Sequence, residues 1–146
     1  MFQNGACEDG WVSLSGRCFK LVTEPKKSWE AAKAACPNDF PGSRLAVVDF
    51  DLTQDPSSPL LNTFAFWVGL KSTPSSDGNL HWSTSGDQVT ETHWLRDKTY
   101  TEPNGSAQDN CVFVAGLTSD ELFGLGDWGD TGCDLYKSNY LCQLEV

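Results

Sequence analysis

Six cysteines in 146 residues restrict this chain more than any other feature of its sequence. An even number of cysteines in a short chain reads as a disulfide framework assembled in an oxidising compartment, which predicts a secreted, extracellular protein. No spacing is Cys-x-x-Cys, so a zinc ribbon and a thioredoxin-like redox pair are poor fits. Cys7 and Cys18 enclose Gly10, Trp11 and Gly16, with short β-prone runs at 11–14 and 18–22. That pattern reads as a hairpin with a local disulfide across it. The sequence by itself leaves the remaining pairings open.

Hydrophobic residues make up 39% of the chain and aromatic residues 12%, which argues against disorder. Length and composition fit one domain over residues 1–146 with a sizeable core, and no repeat or low-complexity tract divides it. The formal charge of -10 therefore belongs to a folded surface or to a site. Twenty acidic residues against ten basic ones would repel a phosphate backbone, so no nucleic-acid partner is expected. No run of roughly 18 apolar residues occurs, and no membrane span is expected. The N-terminus lacks a basic segment followed by an apolar one, so the chain reads as a mature or recombinant form without a secretion signal.

Along the chain, 23–27 reads as a polar loop, after which Ser28 offers an N-cap to a helix. Trp29, Ala32 and Cys36 then recur on one helical face, Glu30 suits the first turn, and Pro37 predicts that the helix stops at Cys36. Residues 44–49 read as a short strand, 51–59 as a loop, 60–66 as a short second helix and 66–70 as a buried strand. Within that strand Gly69 marks a bulge or a close backbone approach. A strand is expected at 80–83, a turn at Ser85-Gly86-Asp87, an extended piece at 92–95, and strands at 112–115 and 139–142. Residues 96–110 offer almost nothing to bury, and a structureless loop of that length inside a compact domain usually has a function.

That loop opens an acidic region running from Glu102 to Cys133. If Cys111 and Cys133 are bridged, the clusters Glu102 to Asp109 and Asp127 to Asp130 approach each other around one hydrophobic strand. Convergent carboxylates repel unless a cation lies between them, and hard oxygen ligands suit calcium.

The order Cys7, Gly10-Trp11, Cys18, Ser28-Trp29, Cys36, Leu45-Ala46, Trp67-Val68-Gly69-Leu70, Glu102-Pro103-Asn104, Cys111-Val112, Trp128-Gly129-Asp130, Cys133 and Cys142 resembles the C-type lectin-like domain in its long form. The resemblance covers essentially the whole chain. It implies an α+β fold with two helices, two small antiparallel sheets and long irregular calcium-binding loops. It also implies the bridges Cys7–Cys18, Cys36–Cys142 and Cys111–Cys133. Carried over residue by residue, its calcium and sugar site falls on Glu102, Asn104, Asp109 and Asp130, with a cis peptide before Pro103. Two positions depart from the family pattern: Asp109 stands where Glu is usual, and Gly129 stands where the family has Asn. The second departure removes an oxygen ligand and an amide donor, for which Asp127 is close enough in sequence to compensate. An auxiliary calcium site of some relatives is expected to be lost, since Ser72, Ser75, Ser76, Gly105 and Asn110 occupy its region.

The resemblance implies a calcium-dependent lectin whose partners are glycans bearing mannose, fucose or related sugars, because the triplet is E-P-N and not Q-P-D. Clustering or oligomers would supply avidity. The alternative is a non-catalytic protein- or ice-binding module on the same fold. Asn104-Gly105-Ser106 is also a turn and a glycosylation sequon, but a glycan and a calcium ligand cannot share one amide. Enzymatic activity is not expected. His81 and His93 lack a nucleophile at a recognisable spacing, and the carboxylates near Cys133 suit ligation better than glycoside hydrolysis.

Overall fold

The computed structural model describes residues 7, 10–14, 16–50, 60, 65–71, 80–90, 110–116, 126–133 and 137–145. In chain order these form β1 (Val12–Leu14), β2 (Arg17–Lys27), α1 (Trp29–Asp39), β3 (Arg44–Leu45), β4 (Ala65–Lys71), β5 (Asn110–Ala115), β6 (Trp128–Gly132) and β7 (Ser138–Glu145). The α+β class stands. The strands join in one seven-stranded sheet ordered β1-β2-β7-β4-β5-β6, with β3 also paired to β7.

The two antiparallel sheets expected from the resemblance are thus two lobes of one mixed sheet. β1, β2, β3 and β7 form one lobe and β4, β5 and β6 the other, each antiparallel within itself. A short parallel ladder joins them, pairing Phe66 with Asn139 and Trp67 with Tyr140.

Both faces of this sheet are covered, and strand alternation sorts the side chains between them. Phe66, Val68, Leu70, Val112, Val114, Trp128 and Leu141 point to one side, where Ala46, Val47, Val48, Leu60 and Trp82 pack on them. Trp67, Cys111, Tyr140 and Cys142 point to the other, against Trp29, Ala32, Ala35 and Cys36 of α1. A strand covered on both faces has no polar side to show, which is why β4 reads as the uninterrupted run Ala-Phe-Trp-Val-Gly-Leu.

The helix starts as expected. Ser28 takes the extended N-cap conformation, although its hydroxyl makes no capping hydrogen bond, and Glu30 lies in the first turn. The helix does not stop at Cys36, however; it runs to Asp39 with Pro37 inside it. The Cys36 carbonyl accepts from the Phe40 N–H at 2.9 Å and the Ser43 hydroxyl at 2.7 Å, which keeps that last turn satisfied. A proline so near a C-terminus forfeits little of the helical ladder.

Other sequence expectations are corrected. Residues 23–27 extend β2 beyond a register shift between Val22 and Lys27, because Lys27 still finds Ser138 as its partner. Ala65 and Phe66 belong to β4, so the second helix expected over 60–66 does not reach them; Leu60 has 3-10 conformation, and 61–64 lie outside the described residues. The strand expected over 44–49 pairs only at Arg44 and Leu45. The one expected at 80–83 is reduced to isolated bridges at His81 and Trp82. β6 was not anticipated at all, since Trp-Gly-Asp-Thr-Gly has poor intrinsic strand preference and owes its conformation to pairing with β5. Residues 92–95 lie outside the described residues.

Three disulfides fasten the framework: Cys7–Cys18, Cys36–Cys142 and Cys111–Cys133. The second ties α1 to β7 across 106 residues. In the chain-entropy picture a loop of that length stabilises by about 5 kcal/mol.

Candidate functional site

β5 and β6 run antiparallel, with Cys111 opposite Thr131, Val112 opposite Asp130, Phe113 opposite Gly129 and Val114 opposite Trp128. The ladder continues past the strands, where the Ala115 N–H donates to the Asp127 carbonyl and the Gly126 N–H to the Ala115 carbonyl, both at 2.9 Å. Cys133 closes the far end through its bridge to Cys111, and its carbonyl accepts from the Trp29 N–H at 3.2 Å. The acidic end of the chain is therefore tied to the start of α1.

This frame places Asp130. Its residue is only 6% exposed, and its cross-strand neighbour Val112 and same-face neighbour Trp128 are both buried. Burying a carboxylate is costly unless it is paired or ligating, and Asp130 is engaged by other groups here. Asp127 is engaged as well, one residue before β6 begins.

Of the four site residues named from the sequence, Asp130 alone is described; Glu102, Asn104 and Asp109 lie outside the described residues, as do Pro103, Gly105, Ser106, Ser72, Ser75, Ser76 and His93. Asp109 directly precedes Asn110, the first residue of β5, which pairs with Gly132. Among the described residues, no group of three or more His, Cys, Asp or Glu stands close enough to hold a metal. Asp130 fits calcium by its chemistry, being a hard carboxylate donor held on a rigid strand.

Gly129 pairs with Phe113, and Phe113 packs on the helix side of the sheet. Alternation therefore turns position 129 away from the face that carries Asp130. The sequence showed which residue type was missing there but not this orientation, since it depends on the register between β5 and β6.

His81 is the histidine among the described residues. The His81 ring nitrogen Nδ1 lies 3.1 Å from the Gly86 carbonyl, across an exposed turn. Burial chiefly raises the titration of Tyr140 above its ordinary value, and the Asp39 carboxylate raises it further. Tyr140 lies on the helix side, away from Asp130.

Sequence comparison adds a match to the family described as the Lectin C-type domain, over residues 25–144. The chain is 31% identical to the C-type lectin lectoxin-Lio3 of Erythrolamprus poecilogyrus, over 97% of this chain and 83% of that protein. It is 27% identical to human C-type mannose receptor 2, over 99% of this chain but only 9% of the receptor. The chain thus spans under a tenth of that relative's length and most of the snake protein's. Among solved structures, the cow carbohydrate-recognition domain of CD23, crystallised in the presence of GlcNAc2Man3 oligosaccharide, superposes with a TM-score of 0.70 at 22% identity and 97% coverage of both chains. At that identity the likeness concerns the fold.

Proposed function

The chain belongs to the C-type lectin family, and on that premise we propose that it is a secreted, calcium-dependent carbohydrate-binding domain spanning residues 1–146. The observation that carries this reading is the placement of Asp130. A buried carboxylate stands on β6, three residues before Cys133 of the Cys111–Cys133 bridge, where the family pattern has an acidic ligand. In this reading Glu102, Asn104 and Asp109 complete the site with it, and the matched family is one of binding modules, not catalysts.

Calcium, when bound, supplies the positive charge to which vicinal sugar hydroxyls are drawn. The chain's own residues then select among sugars. Glu102 and Asp109 accept hydrogen bonds from hydroxyl groups, and the Asn104 amide donates one. An acceptor followed by a donor in Glu102-Pro103-Asn104 favours equatorial hydroxyl pairs of the mannose, fucose and glucose type. With glycine at 129 each site binds weakly, so useful avidity comes from clustered sites.

Glycan binding measured with calcium and again with chelator tests the reading. Binding to mannose- or fucose-bearing glycans that disappears on chelation is the expected result. Calcium-independent binding, or none, would instead support a protein- or ice-binding module on the same fold. Glu102→Gln combined with Asn104→Asp should shift preference towards galactose, and an unchanged sugar profile would remove the triplet from the mechanism.

A further inference from the structure

We propose that residues 80–89 form a brace that positions Asp130, with the Thr84 hydroxyl as its latch; the consequence for calcium rests on the reading given under Proposed function. This segment folds on itself: the Trp82 N–H donates to the Asp87 carbonyl, the Gly86 N–H to the Trp82 carbonyl, and the Val89 N–H to the Leu80 carbonyl, at 2.7 to 2.9 Å. A unit this small is marginal on its own and needs an external support.

That support is the irregular point of β4. The Ser83 N–H donates to the Gly69 carbonyl at 2.7 Å, the Gly69 N–H donates to the Ala46 carbonyl at 2.8 Å, and the Thr84 hydroxyl donates to the Leu45 carbonyl at 2.9 Å. Gly69 is required by this approach, because a Cβ there would lie 2.6 Å from Thr84 Oγ1 and 2.9 Å from the Leu45 carbonyl oxygen. Latched in this way, the segment inserts Trp82, 2% exposed, against Trp128, 1% exposed, with ring centroids 5.7 Å apart and planes at 78°.

Trp128 and Asp130 share one face of β6, and β6 ends the sheet, paired to β5 on one side among the described strands. A terminal strand with two glycines takes its exact lie from what packs on it, and on Asp130's face one such contact is Trp82. Chemically, Trp82 and Thr84 act on a ligand through another residue, as outer-shell partners of metal sites do, where substitutions cost about 10–100-fold in affinity.

The test compares Thr84→Val, which keeps the shape and removes the donor, with Thr84→Ser, which restores it. In calcium-free protein, amide resonances and hydrogen exchange report Asp130 and Trp128 directly. Thr84→Val should shift the Asp130 amide and the Trp128 indole resonances and speed exchange at Asp130, while Thr84→Ser should reproduce the parent protein. Ala35→Gly, destabilising on the helix side, should leave those resonances in place and so separates positioning from general loosening. Unmoved Asp130 signals in Thr84→Val overturn the brace. Calcium titration then tests the consequence: about tenfold weaker binding is expected for Thr84→Val and parent-like binding for Thr84→Ser. Displaced Asp130 signals with unchanged calcium affinity overturn the positioning role. If the parent protein binds no calcium, the calcium reading fails, and the resonances alone decide the brace.

Discussion

On one side of the sheet a single regular helix, α1, lays Trp29, Ala32, Ala35 and Cys36 against Trp67, Tyr140 and Cys142. On the other side the cover is assembled from separate pieces: the Ala46–Val48 stretch, Leu60 and the turn carrying Trp82. The first face uses one repeating contact and a covalent link through Cys36–Cys142. The second uses single fitted contacts, such as Gly69 with Thr84 and Trp82 with Trp128, and it is the side that carries Asp130. A repeat gives strength but repeats its geometry; fitted pieces aim one side chain.

Both long-range bridges lie on the helix side, yet they close loops of different length and should fail differently when cut. Removing Cys36–Cys142 by double serine substitution should cost about 5 kcal/mol, enough to unfold many domains of this size. Removing Cys111–Cys133, separated by only 22 residues, should cost about 3 kcal/mol and loosen β6 first. Denaturant titrations of both variants test this. Equal losses would mean that loop length does not set the share each bridge contributes.

Single substitutions sharpen the contrast. Trp29 is fully buried and its indole N–H donates to the Val68 carbonyl at 2.8 Å, so Trp29→Ala should cost about 3–5 kcal/mol. Its calcium affinity, measured well below the melting temperature, should stay near that of the parent. Asp130→Asn should do the reverse, abolishing calcium binding in calorimetry with a stability change under about 1 kcal/mol. A Trp29→Ala protein that folds but no longer binds calcium would break the separation.

The helix side was also the more legible one. The recurrence of Trp29, Ala32 and Cys36 marks the helix, and the Phe66-to-Leu70 run reads by composition as a buried strand. Pro37 misled because its effect depends on whether the last turn finds other partners, and Ser43 supplies one from beyond the helix. On the other side no period exists to read. β6 has the composition of a loop and is a strand only because β5 lies beside it. The resemblance carried by Trp128-Gly129-Asp130 implies Asp130 as a ligand, but its burial and its facing Val112 follow from register, which the motif does not encode.

The helix side has a pH signature of its own. Burial, with the Asp39 carboxylate adding to it, raises the Tyr140 hydroxyl above its ordinary value of 10.0. The unfolded chain therefore ionises first, so the stability contributed by the neutral phenol is fully present below pH 10 and is lost as pH rises through the folded value. The midpoint of denaturation should fall above that pH, and Tyr140→Phe should flatten the fall. A profile as steep in Tyr140→Phe as in the parent would assign the alkaline loss to other groups.

The smallest expected effect bears on the side with the site. Gly129→Asn restores the residue type of the family pattern, but register sets position 129 opposite Phe113, on the face away from Asp130. An asparagine there reaches the Asp130 side only around the edge of β6, at some cost in side-chain ordering. One added oxygen contact against that cost should tighten calcium binding by about 0.5–1 kcal/mol, or a few-fold, with glycan affinity following it. Unchanged affinity would mean that the strand holds the amide on the helix side. A gain of about a hundredfold, by contrast, would mean that β6 twists enough at Gly129 for both faces to serve one ion, and the sharp division between the two sides would end at that residue.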